Sequence, residues 1–115
     1  MSYNVVGAEQ GNVPVSAFVV HAPPGKRVGL HVHPYDEVVF VIEGRVRWAI
    51  DGRIVEAGPG DVLVVKAGEV HGFETVGADT LVQIDVHANP TFEQTAVDVP
   101  WPVVNGSERD QSVST

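Results

Sequence analysis

The stretch "HVHPYDE", from His31 to Glu37, decides how this chain is read. It places two of the five histidines one residue apart and a carboxylate four residues after the second. On an extended strand, residues two apart project to the same face, so His31 and His33 aim together. Pro34 cannot donate a ladder hydrogen bond, so the strand ends or bends there. Glu37 then starts the next strand and can turn back toward the same interior. Imidazole and carboxylate together suit a borderline first-row metal ion. The plainer alternative is a polar surface loop.

The sequence on either side is a series of short Val-rich runs broken by Gly and Pro: "PVSAFVVHA", "RVGLHVH", "EVVFVIEG", "RVRWAI", "RIVEAG", "DVLVV", "EVHGFET" and "TLVQIDVHA". Each has the usual length of a strand, is rich in β-branched residues and ends in turn residues. Asp51-Gly52, between two alternating segments, reads as a type I′ hairpin turn. Eight prolines and twelve glycines scattered through the runs argue against helices. Strands recurring at this spacing predict an all-β sandwich or barrel. Alternation then assigns faces. Val46, Trp48 and Ile50 point inward, and His71, Phe73 and Thr75 share a face. Gln83, Asp85 and His87 lie opposite Val82, Ile84 and Val86. The apolar side of that strand is expected to face a core, with both sides covered if a partner chain packs there.

A length of 115 residues fits one domain, expected over residues 1–104, with the small polar residues 105–115 as a loose tail. The absence of cysteine excludes disulfides, thiolate metal sites and cysteine nucleophiles. A net charge of −8 with no basic stripe repels phosphate backbones, so no nucleic-acid partner is expected. No apolar run approaches the ~18 residues of a membrane helix, and the N-terminus lacks signal-peptide character. A cytoplasmic setting and no membrane association are the expectation. "GPGD" at residues 58–61 is a turn, not a phosphate loop, and no G-x-S-x-G nucleophile elbow occurs.

The glycines extend the opening stretch into a longer pattern. From Gly25 to Gly44 the spacing is G-x5-H-x-H-x3-E-x6-G, and from Gly60 to His71 it is G-x5-K-x-G-x2-H. This pair of motifs resembles the cupin superfamily, in particular small bacterial single-domain members similar to quercetin dioxygenase. The first motif agrees at every defined position. The second agrees at Gly60, Gly68 and His71, and departs at Lys66, where the family usually has Pro, and at Thr75, where it usually ends in Asn. The resemblance spans about residues 23–87. It implies a double-stranded β-helix, two antiparallel sheets folded into a small barrel. It also implies one divalent transition metal ion per chain (Fe, Mn, Ni, Zn or Cu) held by His31, His33, Glu37 and His71, and a homodimer. The placing of His71 beside the other three comes from the family and not from the residues alone.

Four protein ligands on an octahedral ion leave two positions for water, substrate or dioxygen. Such an ion can bind dioxygen with an enolate or catecholate, or polarise a carbonyl as a Lewis acid. The expected function is a metal-dependent enzyme, a dioxygenase-like oxidoreductase acting on a small organic molecule. Glu37 is its candidate catalytic residue, on the family-level possibility that it detaches and acts as a base. An isomerase or cyclase of the Lewis-acid kind, a non-catalytic ligand-binding barrel and a barrel that assembles with a partner protein are the alternatives. Tyr35, Phe40, Trp48, Phe73 and Thr75 are candidates for the pocket, although side chains also fill small barrels as core. Asp85 and His87 could orient a metal ligand, but the reading preferred for them is a solvated or partner-facing strand face. His21 reads as a strand residue without chemistry and Lys66 as solvated. Trp101, between two prolines, is expected to pin its segment against the barrel or a partner.

Overall fold

The HVHPYDE stretch is a crossover between two sheets. The computed structural model describes residues 2–101, which form ten strands: β1 (Ser2–Val5), β2 (Ser16–Ala22), β3 (Arg27–Val32), β4 (Glu37–Glu43), β5 (Arg45–Ile50), β6 (Arg53–Ala57), β7 (Val62–Val65), β8 (His71–Val76), β9 (Leu81–His87) and β10 (Thr95–Ala96). Strands β2 to β9 are the eight runs read from the sequence, and β1 and β10 are additional. Among the described residues there is no helix, hence none long and apolar enough to cross a membrane. One sheet has the order β1-β2-β9-β4-β7 and the other β10-β3-β8-β5-β6. All neighbouring pairs are antiparallel. The fold is an all-β double-stranded β-helix. Its second sheet carries His31 on β3, and its first sheet begins β4 at Glu37.

The hairpin at Asp51-Gly52 forms as the sequence requires. Ile50 faces Arg53, and the two turn residues have φ of 50° and 84°. Inside the barrel, Val39, Val41, Val46, Trp48, Ile50, Val55, Leu63, Val65, Phe73 and Leu81 form one core. Each fully buried large apolar side chain contributes about 1.5–3 kcal/mol. A second cluster of Leu30, Ala49 and Ile54 receives Trp101, whose ring also lies 4.9 Å from the Arg27 guanidinium carbon. The tail expected over residues 105–115 lies outside the described residues.

The outer faces of the two sheets differ. On the second sheet, directly opposed residues make a charge ladder: Arg27–Glu74 at 2.9 Å, Arg47–Glu74 at 3.0 Å and Arg47–Glu56 at 2.9 Å. Pairs this exposed are worth roughly 0–1 kcal/mol each. On the first sheet, Phe40, Ile42, Val62 and Val64 are exposed.

Two sequence expectations about faces are corrected. On β9 it is Gln83, Asp85 and His87 that are buried, while Val82, Ile84 and Val86 are half-buried on the outer side. Phe40 likewise points outward and is 40% exposed. Register is the cause. β9 lies between β2 and β4 and pairs His87 with Glu37, Asp85 with Val39 and Gln83 with Val41. Once Glu37 faces inward, the period of two fixes all of these residues inward and Phe40 outward.

The face of β3 is set by a bulge. Val28 pairs with Phe73 and His31 with His71, so three steps on β3 oppose two on β8. Without the extra residue, Val28 and His31 would point to opposite faces. With it, both line the same cavity. Gly72 sits opposite the bulge, so close that a Cβ there would meet the Val28 carbonyl oxygen at 2.6 Å.

Candidate metal centre

Strand pairing brings four of the predicted residues together. His31 and His71 are direct cross-strand partners, and Glu37 enters from the facing sheet. The crossover is pinned from the β7–β8 turn. The Gly68 amide donates to the His33 carbonyl at 2.9 Å, and the Ala67 amide donates to Asp36 Oδ1 at 2.8 Å. Gly68 takes a φ of +84°, which favours glycine there.

Three of the imidazoles are oriented by the main chain. His31 Nδ1 lies 2.8 Å from the Gly29 carbonyl, His33 Nδ1 2.7 Å from that of Glu93, and His71 Nδ1 2.8 Å from that of Glu69. A carbonyl only accepts, so each Nδ1 carries a proton and each Nε2 is left to face the centre. His33 Nε2 and His71 Nε2 stand 3.2 and 3.3 Å from Glu37 Oε1. All three atoms are buried without a hydrogen-bond partner. Lone pairs facing a carboxylate oxygen repel unless a cation, a proton or a metal ion, lies among them. His31, His33 and His71 form one cluster with donor atoms within 4.8 Å of one another, and His33, Glu37 and His87 form a second. This donor set fits a divalent metal ion.

The electrostatics prepare the same site. Burial raises the Glu37 carboxyl, but contacts with His33, His71 and His87 together outweigh it and hold the group well below the usual carboxylate range. Burial pulls His31 down to about 4, against its Gly29 hydrogen bond and with the help of His71 and His33. Burial also lowers His33, but Glu37 and the Glu93 carbonyl win and raise it above the ordinary histidine value.

The centre opens onto a cavity of about 240 Å³ lined by His31, His33, Glu37 and His87. Phe18, Trp48, Phe73 and Phe92 supply an aromatic wall, and Asn4, Asp85 and Gln94 supply further polar atoms. No lysine or arginine is among the described lining residues.

Of the five predicted pocket residues, Trp48 and Phe73 line this cavity. Phe40 does not, for the reason of register given above. Thr75 is buried away from the cavity and donates to the Ala22 carbonyl at 3.3 Å. Tyr35 is buried behind the centre. Its hydroxyl lies 2.8 Å from His87 Nδ1, donates to the Glu93 carbonyl at 2.9 Å and accepts from the Glu93 amide at 3.1 Å. His87, read from sequence as a solvated or partner-facing residue, is instead buried with Nε2 3.6 Å from Glu37 Oε2. Phe18 and Phe92 have no counterpart in the sequence reading, whereas Asp85 and His87, considered there as groups that orient a ligand but read as an outer strand face, line the cavity. The available signal was the even spacing of Gln83, Asp85 and His87 in an otherwise apolar strand. Lys66 is exposed, and His21 is half-buried on β2, outside the centre.

A family model described as a cupin domain matches residues 18–87. The chain is 34% identical over 68 residues to the polyketide synthase CurC of Streptomyces cyaneus, covering 58% of this chain and 44% of that protein. It is 36% identical over 56 residues to an oxalate-binding protein of Thermotoga maritima, covering 48% of this chain and 46% of that one. Among solved structures it is similar to a conserved protein with a double-stranded β-helix domain from Klebsiella pneumoniae. The TM-score is 0.68 and the identity 26%, over 75% of this chain and 76% of that one. The chain spans less than half the length of the curated relatives it matches.

Proposed function

This chain belongs to the cupin family, and on that premise we propose that it is a metal-dependent enzyme acting on a small organic molecule that ligates through oxygen. The observation that carries the reading is the buried, unpartnered set of His33 Nε2, His71 Nε2 and Glu37 Oε1 beside a cavity of about 240 Å³. His31, His33, Glu37 and His71 would hold one ion per chain, with Fe, Mn, Ni, Zn and Cu all suited to the donors. When bound, such an ion polarises a ligated oxygen as a Lewis acid or, if redox-active, engages dioxygen. The main-chain carbonyls of Gly29, Glu69 and Glu93 keep three imidazoles aimed. Tyr35 orients His87, which holds or passes a proton at Glu37 Oε2. The aromatic wall excludes water from the reacting group.

The Tyr35–His87–Glu37 chain, together with the likeness to a polyketide synthase, favours Lewis-acid chemistry with proton transfer, as in an isomerase or cyclase. Glu37 or His87 would be the base. A dioxygenase-like oxidoreductase is the second reading, supported by the apolar aromatic cavity beside the His and Glu donors. The test is the full chain loaded in turn with Fe(II), Mn(II) and Zn(II) and given a β-diketone or a flavonol in an oxygen electrode. Turnover without oxygen uptake supports the first reading, and oxygen uptake with Fe or Mn supports the second. Binding without turnover supports a non-catalytic barrel. A chain that takes up no metal contradicts all three.

We propose that a second copy covers the apolar outer face of Phe40, Ile42, Val62 and Val64, because the opposite outer face is charged and this one is not. Light scattering should give a dimer, and Val64→Lys should give a monomer. A wild-type monomer contradicts the proposal. The cytoplasm is the proposed setting, to be tested by cell fractionation.

A further inference from the structure

Asp85 is an acidic residue of the inner wall that metal holding does not use. It is 6% exposed and stands directly between Phe18 on β2 and Val39 on β4. Its Oδ1 has no hydrogen-bond partner, and neither polar atom of the Gln83 side chain two residues away has one. Yet Asp85 lines the cavity together with His31, His33 and Glu37. A buried acid with an unpartnered oxygen is costly, and a site flanked by Phe18 and Val39 would be filled more stably by an aliphatic residue. Among the described lining residues there is no lysine or arginine to neutralise a second negative charge, and Glu37 already contributes one.

We propose that Asp85 is the specificity-determining residue of this cavity, meeting an acceptor oxygen of a ligand that carries at most one negative charge and an apolar body. The inference rests on the metal-centre reading above. The carboxyl has the form this role needs. A carboxyl buried between Phe18 and Val39, with no lysine or arginine among the described lining residues, is favoured as the neutral acid, which has a proton to donate. Phe18, Phe73 and Phe92 receive the apolar body. A small dianion finds no lysine or arginine among the described lining residues.

The test uses the Mn(II)-loaded full chain and two bidentate oxygen chelators of similar size. Tropolone is a planar monoanion, and oxalate is a dianion. By calorimetry, tropolone should bind at least about tenfold more tightly than oxalate. Asp85→Leu should weaken tropolone about tenfold, the value of one buried hydrogen bond, with Mn(II) affinity within about threefold of wild type. Asp85→Asn, which keeps an N–H donor, should retain most of the tropolone affinity. Metal-free Asp85→Leu should melt above wild type, as expected when a residue is kept for binding and not for folding. Preference for oxalate, unchanged tropolone binding by Asp85→Leu, or a lowered melting temperature would overturn the inference while the metal centre stands. Absence of Mn(II) binding by wild type would overturn both.

Discussion

Replacing Gly72 by alanine should loosen the metal centre without touching a ligand. The new Cβ would stand 2.6 Å from the Val28 carbonyl oxygen and 3.0 Å from that of Gly29, where ordinary contact begins near 3.4 Å. The β3 backbone must therefore retreat by about 0.8 Å, the difference between 3.4 and 2.6 Å. That backbone is the bulge itself, and its Gly29 carbonyl holds His31 Nδ1 at 2.8 Å. Overpacking of this kind costs about 1–3 kcal/mol. In a domain of this size each kcal/mol lowers the melting temperature by roughly 4–8 °C. The metal-free variant should thus melt roughly 4–24 °C below wild type. Disturbing the group that orients a ligand typically costs about 10–100-fold in metal affinity, and Mn(II) titration should show a loss in that range. Gly52→Ala is the control. Gly52 has a φ of +84° but no atom within 4 Å of its added Cβ, so it should lose about 1–2 kcal/mol of stability and no metal affinity. If Gly72→Ala keeps both its melting temperature and its affinity, the bulge is not what aims His31, and the reasoning fails.

Three further outcomes follow from the same geometry. His71→Ala should lower metal affinity by more than about 100-fold, beyond the loss caused by removing a ligand's hydrogen-bond partner, and equal affinity in a Mn(II) titration would remove His71 from the ligand set. Tyr35→Phe leaves the Glu93 amide and His87 Nδ1 without their partner and should cost about 1–3 kcal/mol in denaturant unfolding; an unchanged midpoint would show that the network carries no stability. Metal affinity should rise with pH around neutrality with release of a proton, because His33, raised above its ordinary 6.5 in the metal-free protein, must give up its proton to ligate. Calorimetry in two buffers of different ionisation enthalpy reads that proton directly. For the metal-free fold the two histidines act oppositely. His33 stabilises fully below 6.5, a contribution lost as pH rises through its folded value. His31, lowered to about 4, adds stability as pH rises from about 4 to 6.5.

The strands were legible because their alternation, β-branched content and turn residues agree with one another. Val46, Trp48 and Ile50 lie where alternation put them. His31 and His33 point the same way, as their spacing requires, but which way depends on the bulge after Val28, which no local pattern announces. His71 needed the family resemblance, because a sequence separation of thirty-four residues from Glu37 becomes proximity only through strand pairing. The faces of β9 were assigned backwards by hydrophobicity. Val82, Ile84 and Val86 looked like the core side, but register with Glu37 turns Gln83, Asp85 and His87 inward. A polar inner face is a functional cost that patterning rules read as solvent exposure. Phe40 failed for the same reason, being one step out of phase with Val39 and Val41.

If three imidazoles and one carboxylate hold a single ion, its surroundings can be counted. Extended X-ray absorption fine structure at the metal edge of the Mn(II)-loaded full chain counts those donors directly. Three imidazole nitrogens are expected, with the remaining positions filled by oxygen. Any other imidazole count, or a loaded protein whose spectrum shows no imidazole scattering, would contradict this ligand set.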